Sequence, residues 1–61
     1  MNMEYLVVSV SDCEVRDGRY AKMLNANALV GWTVLHAYAV IEYATGDAFP
    51  MHVAVMQRIV Q

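Results

Sequence analysis

Histidine, cysteine and serine are the side chains of this sequence that could carry nucleophilic or metal chemistry. The chain has one cysteine, Cys13, and two histidines, His36 and His52. Zinc sites need ligands at close, regular spacings, and Cys13 has no such companion. A nucleophile also needs a base within hydrogen-bond reach, and no histidine lies near Cys13 in sequence. The residues therefore predict no catalytic group, no metal site and no cofactor, and we expect a protein that is not an enzyme.

A second chemical feature is the basic set Arg16, Arg19 and Lys22. These residues lie near the start of the predicted helix, where free N–H groups and the helix dipole favour anions. Tyr38 and Tyr43 could add a surface on which a base stacks. We therefore predict an anionic ligand site formed by these five residues. The alternative is that the cations are solvated and neutralised by the interleaved carboxylates.

Composition points to self-association. The chain has 61 residues, 59% of them hydrophobic and only 16% charged, with a net charge of −2. A single domain of this size, residues 1–61, struggles to bury enough apolar surface alone. A partner of the same kind, in a homodimer or homotetramer, would cover the surplus. The negative charge argues against a long nucleic acid as partner.

The sequence gives no sign of a membrane segment or a secretion signal. From Ala26 to Ile41 there is no charged residue, but this stretch has 16 residues, against about 20 needed to span a bilayer. The first residues lack the basic start and cleavage site of a signal peptide. A lone thiol also fits a reducing compartment. We expect a cytoplasmic protein that does not bind membranes.

Hydrophobic periodicity predicts a β-α-β-β order and an α+β fold. Asp17 is the expected N-cap of the helix, and Gly31 its left-handed C-cap. A capping box from Ser11 to Glu14 would place Gly18 inside the helix, so we favour the later start. The predicted elements are strands at 4–10, 32–43 and about 49–60, a helix at roughly 19–30 and a turn at 44–47.

The second strand is apolar on both faces, and one helix can cover only one of them. A two-residue loop at Thr45 and Gly46 would place position i opposite position 91 − i. We predict that the helix packs on the bulkier face, with Trp32 beneath the helix end. That face carries Trp32, Val34, Val53 and Val55. The other face becomes the predicted oligomer interface, formed by Leu35, Ala37, Ala39, Ile41, Ala54 and Met56.

The same register puts His36 and His52 on opposite faces. One chain therefore cannot combine them in a shared site. Only symmetry, by bringing together two copies of His52, could build a metal site.

The residues Leu24-Asn25, followed by Gly31-Trp32-Thr33-Val34-Leu35, resemble a small bacterial and phage domain family of unknown function. That family opens with a Tyr-x-Val strand, matched by Tyr5-Leu6-Val7, and closes near a basic pair where Gln57-Arg58 stands here. Its glutamate after tryptophan is replaced by Thr33, and the hairpin here is longer. The resemblance implies a self-associating β-α-β-β fold and supplies no catalytic residues.

Two functional hypotheses follow from these features. The first is a non-enzymatic homo-oligomeric binding protein, possibly phage-encoded, that sequesters an anionic small molecule such as a signalling nucleotide. The second is a protein–protein interaction module or structural subunit that uses its apolar sheet face.

Overall fold

A computed structural model describes residues 2–60 of the chain. It contains a three-stranded antiparallel sheet and two short helices, which agrees with the predicted α+β fold class. The strand that comes last in the chain lies in the middle of the sheet, in the order β1-β3-β2. The elements are β1 Asn2–Ser11, α1 Asp12–Arg16, α2 Arg19–Ala28, β2 Thr33–Ala44 and β3 Asp47–Val60.

Helix α1 is not among the predicted elements, since the only predicted helix begins at about residue 19. Ser11 caps it, accepting a hydrogen bond from the backbone N–H of Glu14 at 3.4 Å. The helix stops before Gly18, which takes a left-handed φ of 87° and starts α2. The Ser11 cap and the later helix start are thus both present, in consecutive helices, although the N-cap of α2 is Gly18 and not the predicted Asp17. Gly18 therefore does not interrupt a single helix; it lies between two separate helices.

Helix α2 ends where the sequence predicts, at a left-handed glycine. Gly31 has a φ of 96° and donates to the carbonyl of Ala28, while Trp32 donates to that of Asn27. This paired arrangement is the Schellman motif, which satisfies the last helical carbonyls. Because the motif reverses the chain within two residues, β2 begins directly afterwards, at Thr33.

The hairpin between β2 and β3 turns at Thr45 and Gly46, as predicted. Both residues have positive φ, 50° and 83°, which is the backbone of a type I′ turn. The register from His36 to Ala44 follows the expected sum of 91. A bulge between Val34 and His36 then shifts the register by one residue, so Val34 faces Met56.

The prediction of which face the helix covers is wrong. The helices lie on the face of Ala54 and Met56, which are 0% and 1% exposed, and Asn27 of α2 contacts the Met56 sulfur. Ala54 and Met56 are therefore core residues and cannot form the predicted oligomer interface. Val53 and Val55 point to the helix-free face instead. Periodicity could not choose between the faces because both are apolar.

The bulge also places residues that were predicted to share one face of β2 on opposite faces of the sheet. Before it, Val34 lies on the helix side opposite Met56; after it, His36 lies on the helix-free side opposite Val55. Trp32 does lie near the helix end, as predicted, and is half-buried there.

About a third of the β2–β3 hairpin extends beyond the rest of the fold. The last residue of β1, Ser11, pairs with Met51, which in turn faces Val40. Residues 41–50 therefore form a two-stranded ribbon, which we call the hairpin ribbon. It accounts for the elongated shape of the molecule, 45 × 22 × 14 Å.

Candidate functional site

His52 forms a polar link between the sheet and the helices. Its Nε2 lies 3.1 Å from Oδ1 of Asp12, and both side chains are half-buried. Asp12 sits on α1 because that helix starts directly where β1 ends. The Tyr20 ring of α2 lies 6.4 Å from the imidazole, centroid to centroid.

Arg16 completes this link from one turn along α1. Its Nε donates to Oδ2 of Asp12 at 2.8 Å. The hydrogen bond from Arg16, and then that with His52, hold the pKa of Asp12 below its ordinary value. The carboxylate is thus engaged at both oxygens, and it joins helix to strand rather than activating a reactive group.

His36 lies on the other face of the sheet, as the register predicts. It stands beside Tyr38, with ring centroids 5.4 Å apart. Within residues 2–60, no three or more histidine, cysteine or acidic side chains come close enough together to hold a metal ion.

The predicted basic set is largely neutralised inside the chain. Arg16 pairs with Asp12, and Arg19 pairs with Asp17 at 2.7 Å. The Asp17 carboxylate also accepts the backbone N–H of Arg19 at 3.0 Å, so it occupies the N-terminus of α2. That backbone bond is the main reason why the pKa of Asp17 lies below its ordinary value. The position offered to an external anion is thus filled by the protein's own carboxylate.

The two tyrosines of the predicted ligand site do not meet the cations. Tyr38 faces Val53 on the helix-free side of the sheet, whereas Tyr43 faces Ala48 on the opposite side. Lys22 is exposed on α2, on the helix side. A single chain therefore does not bring Arg16, Arg19, Lys22, Tyr38 and Tyr43 into one site.

Four of the six residues predicted for the oligomer interface are accessible. They are Leu35, Ala37, Ala39 and Ile41, all on β2. They remain exposed because β2 is an edge strand, and the helix that packs over the sheet beside β1 and β3 is α1, whereas α2 makes only a few contacts with β2. The two buried residues, Ala54 and Met56, lie on the central strand.

The hairpin ribbon is the most unusual surface of the molecule. Apolar side chains are exposed on both of its sides: Ile41 is 55% exposed, Tyr43 79% and Phe49 47%. Only Glu42 and Asp47 carry charge in this stretch. The ribbon has strand pairing but no layer of the described chain on either face, so it is an apolar surface without a core.

A cleft of about 290 Å³ lies at the other end of the sheet. Its polar centre is Arg58, which lies 4.5 Å above the Trp32 ring and pairs with Glu4 at 2.6 Å. Arg58 also donates to the carbonyl of Val30 at 3.4 Å. Each of the three guanidinium nitrogens of Arg58 therefore donates to an acceptor within the chain. The contact of Arg58 with Glu4 and Trp32 was not predicted from the sequence, because Glu4 lies opposite Arg58 only through the pairing of β1 with β3. The cleft is lined by Met3, Val30, Gly31, Thr33, Gln57, Arg58 and Ile59.

Comparison with models of known families gave no match, and no curated protein or solved structure matched the chain either. The resemblance to the small bacterial and phage family therefore stays a prediction. Neither helix among residues 2–60 has the length and apolar character needed to cross a membrane.

Proposed function

We propose that this protein is a non-enzymatic interaction module that works as a homo-oligomer, with β2 and the hairpin ribbon as its contact surface. The observation that supports this most strongly is the ribbon itself. An isolated two-stranded hairpin is marginally stable in water at best, and needs a further strand or layer. In the ribbon of residues 41–50, β1 adds no strand and every residue is exposed.

Edge exposure supports the same function. A long, apolar edge strand is a template for pairing with another chain, and proteins usually protect such edges with charges, prolines or bulges. The edge of β2 is twelve residues long and carries one charge, Glu42, with its bulge confined to one end. Leaving an apolar edge of this kind exposed to water is unfavourable, so we propose that it is the surface that contacts another chain.

An anionic ligand is the second candidate raised by the sequence, and the ion-pair geometry disfavours it. Binding would have to open the Arg16–Asp12 or Arg19–Asp17 pair, or use Lys22 with residues from another copy. Native mass spectrometry of the purified protein reads subunit number and any retained ligand together. A bound ligand that is detected in the unmodified protein but lost in Arg16→Ala and Arg19→Ala would favour the anionic-ligand hypothesis.

The direct test is sedimentation velocity over a range of concentrations, with two glutamate substitutions compared. Ile41→Glu places a charge on the ribbon, whereas Leu29→Glu places the same charge at the end of α2, on a side chain that is 88% exposed. We expect the unmodified protein to be a dimer or larger. Ile41→Glu should weaken association by about tenfold or more, while Leu29→Glu should not.

Two outcomes would contradict the proposal. The unmodified protein could sediment as a monomer at all concentrations. Alternatively, Leu29→Glu could weaken association as much as Ile41→Glu does, which would move the contact surface to the helix end. Circular dichroism of both variants checks that the fold is retained.

A further inference from the structure

The free edge of β2 restricts how a second copy can pair with it. A two-residue loop closes on a hydrogen-bonded pair, here Ala44 and Asp47. Hydrogen-bonded and non-hydrogen-bonded positions alternate along antiparallel strands. The even-numbered residues from His36 to Ala44 therefore direct their N–H and C=O groups toward β3. The odd-numbered residues Ala37, Ala39, Ile41 and Tyr43 direct theirs outward.

This alternation limits the possible registers between two copies of β2. In an antiparallel pair related by a two-fold axis, the numbers of facing residues always add up to the same sum. Outward-directed residues must face outward-directed residues, because only those have free hydrogen-bonding groups. Both numbers are then odd, so the sum must be even.

Charge selects one register among these. Glu42 is the only charged side chain of β2 and His36 its only histidine, and both lie on the helix-free face. A sum of 78 places Glu42 opposite His36 of the second copy, and the two-fold axis repeats this contact. A sum of 76 brings Glu42 to the bulge at Val34, sums of 80 and 82 place the carboxylate opposite tyrosine and valine, and a sum of 84 places it opposite itself.

We propose that two copies join along β2 with Ala39 facing Ala39, an inference that rests on the self-association proposed above. In this register His36 and Glu42 form a non-hydrogen-bonded pair, the kind in which facing side chains lie closest. The short Ala37 faces the long Ile41 of the second copy on the other side of the sheet, so side-chain volumes complement each other.

The same register supports the hairpin ribbon. Residues 41–43 of one copy lie beside residues 35–37 of the other, up to the bulge, so this part of the two-stranded ribbon gains a third strand. Tyr43 then lies beside Leu35 of the second copy, two exposed apolar residues that cover each other. The dimer is a continuous six-stranded antiparallel sheet. Because the two-fold axis is perpendicular to that sheet, both pairs of helices lie on the same side.

A disulfide reports the register directly. Facing residues in a hydrogen-bonded pair have Cα atoms about 5.5 Å apart, within the roughly 4.4–6.8 Å that a disulfide spans. In a Cys13→Ser background, Ala39→Cys should therefore form a covalent dimer under mild oxidation. Ala37→Cys is the matched control, because its two copies would lie four residues, about 13 Å, apart along the strands.

A charge exchange tests the selecting contact independently. Glu42→Lys should weaken dimerisation by about tenfold, since it places a cation opposite each His36. The double variant His36→Glu with Glu42→Lys places opposite charges across the same pair and should recover most of the loss. Sedimentation equilibrium measures all three dissociation constants.

The outcomes separate this inference from the function on which it rests. A monomeric unmodified protein would overturn both. A dimer in which Ala39→Cys does not crosslink would overturn only the edge pairing, and crosslinking through Ala37→Cys instead would replace the register. A double charge variant as weak as Glu42→Lys alone would remove the His36–Glu42 contact.

Discussion

Replacing Met56 by alanine tests where the core lies, because the helices were expected on the opposite face of the sheet. Met56 is 1% exposed and faces Leu6 on one side and Val34 on the other. The substitution removes three heavy atoms. At about 0.8 kcal/mol for each buried group, plus a cavity cost, we expect a loss of about 3 kcal/mol. A domain of this length is stabilised by only about 3–9 kcal/mol in total.

The assay is urea and thermal unfolding followed by circular dichroism, at one fixed protein concentration so that self-association does not change the comparison. A loss of about 3 kcal/mol lowers the Tm of a domain of this size by about 12–24 °C. Met3→Ala is the matched control, since that side chain is 40% exposed on the helix-free face and should cost about 1 kcal/mol or less.

Equal losses in the two variants would refute the assignment of the core face. So would a loss below about 1 kcal/mol for Met56→Ala. If Met56→Ala fails to fold, Met56→Leu replaces it in the same unfolding measurement. It nearly conserves the side-chain volume and should lower the free energy of unfolding by less than about 1.5 kcal/mol.

The other predictions concern the polar contacts and the turn. Asp12→Asn should lower the Tm at pH 6 but not at pH 2: the wild-type carboxylate has a lowered pKa, so its contribution is complete above the unfolded pKa of about 3.9 and disappears as pH falls through the folded value. Thr45→Asn should stabilise the protein to urea by about 0.5–1 kcal/mol, because a β-branched residue is strained at a φ of 50° and asparagine is favoured there. Arg58→Met should cost about 1 kcal/mol and shift the fluorescence of Trp32, since it removes both the cation above the ring and the partner of Glu4.

Each of these has an outcome that would contradict it. An Asp12→Asn deficit that persists at pH 2 would mean that the side chain's packing, rather than its charge, stabilises the helix. A Thr45→Asn variant that is less stable than wild type would argue against a type I′ turn. An Arg58→Met variant with wild-type stability and unchanged Trp32 fluorescence would contradict the role given to this side chain.

The sequence determined the hairpin because its signals are local. Thr45-Gly46 between two alternating strands sets a two-residue loop, and the loop sets the register along nearly all of β2. The bulge at Leu35 left no such signal, since the residues around it are apolar throughout. Its effect was to move Val34 to the helix side, which the unbroken alternation could not show.

Helix α1 was missed for a different reason. A five-residue helix has almost no periodicity to recognise, and it depends on Ser11 as cap and on the Asp12–Arg16 contact. The basic set was identified correctly as lying near a helix start. The carboxylates that neutralise the basic set could not be predicted. Asp17 reaches Arg19 because the helix breaks at Gly18, which brings Asp17 to the start of α2.

The central place of β3 has a consequence for the order in which the sheet forms. β2 and β3 are joined by two residues, so their hairpin closes locally, on the scale of microseconds. β1 must close a loop of nearly forty residues, from Ser11 to Met51, before its first pair forms. Loop closure of that length is slower and entropically more costly. The nascent hairpin thus exposes two edges: β1 of the same chain fills one, and β2 of another chain, in the proposed dimer, fills the other.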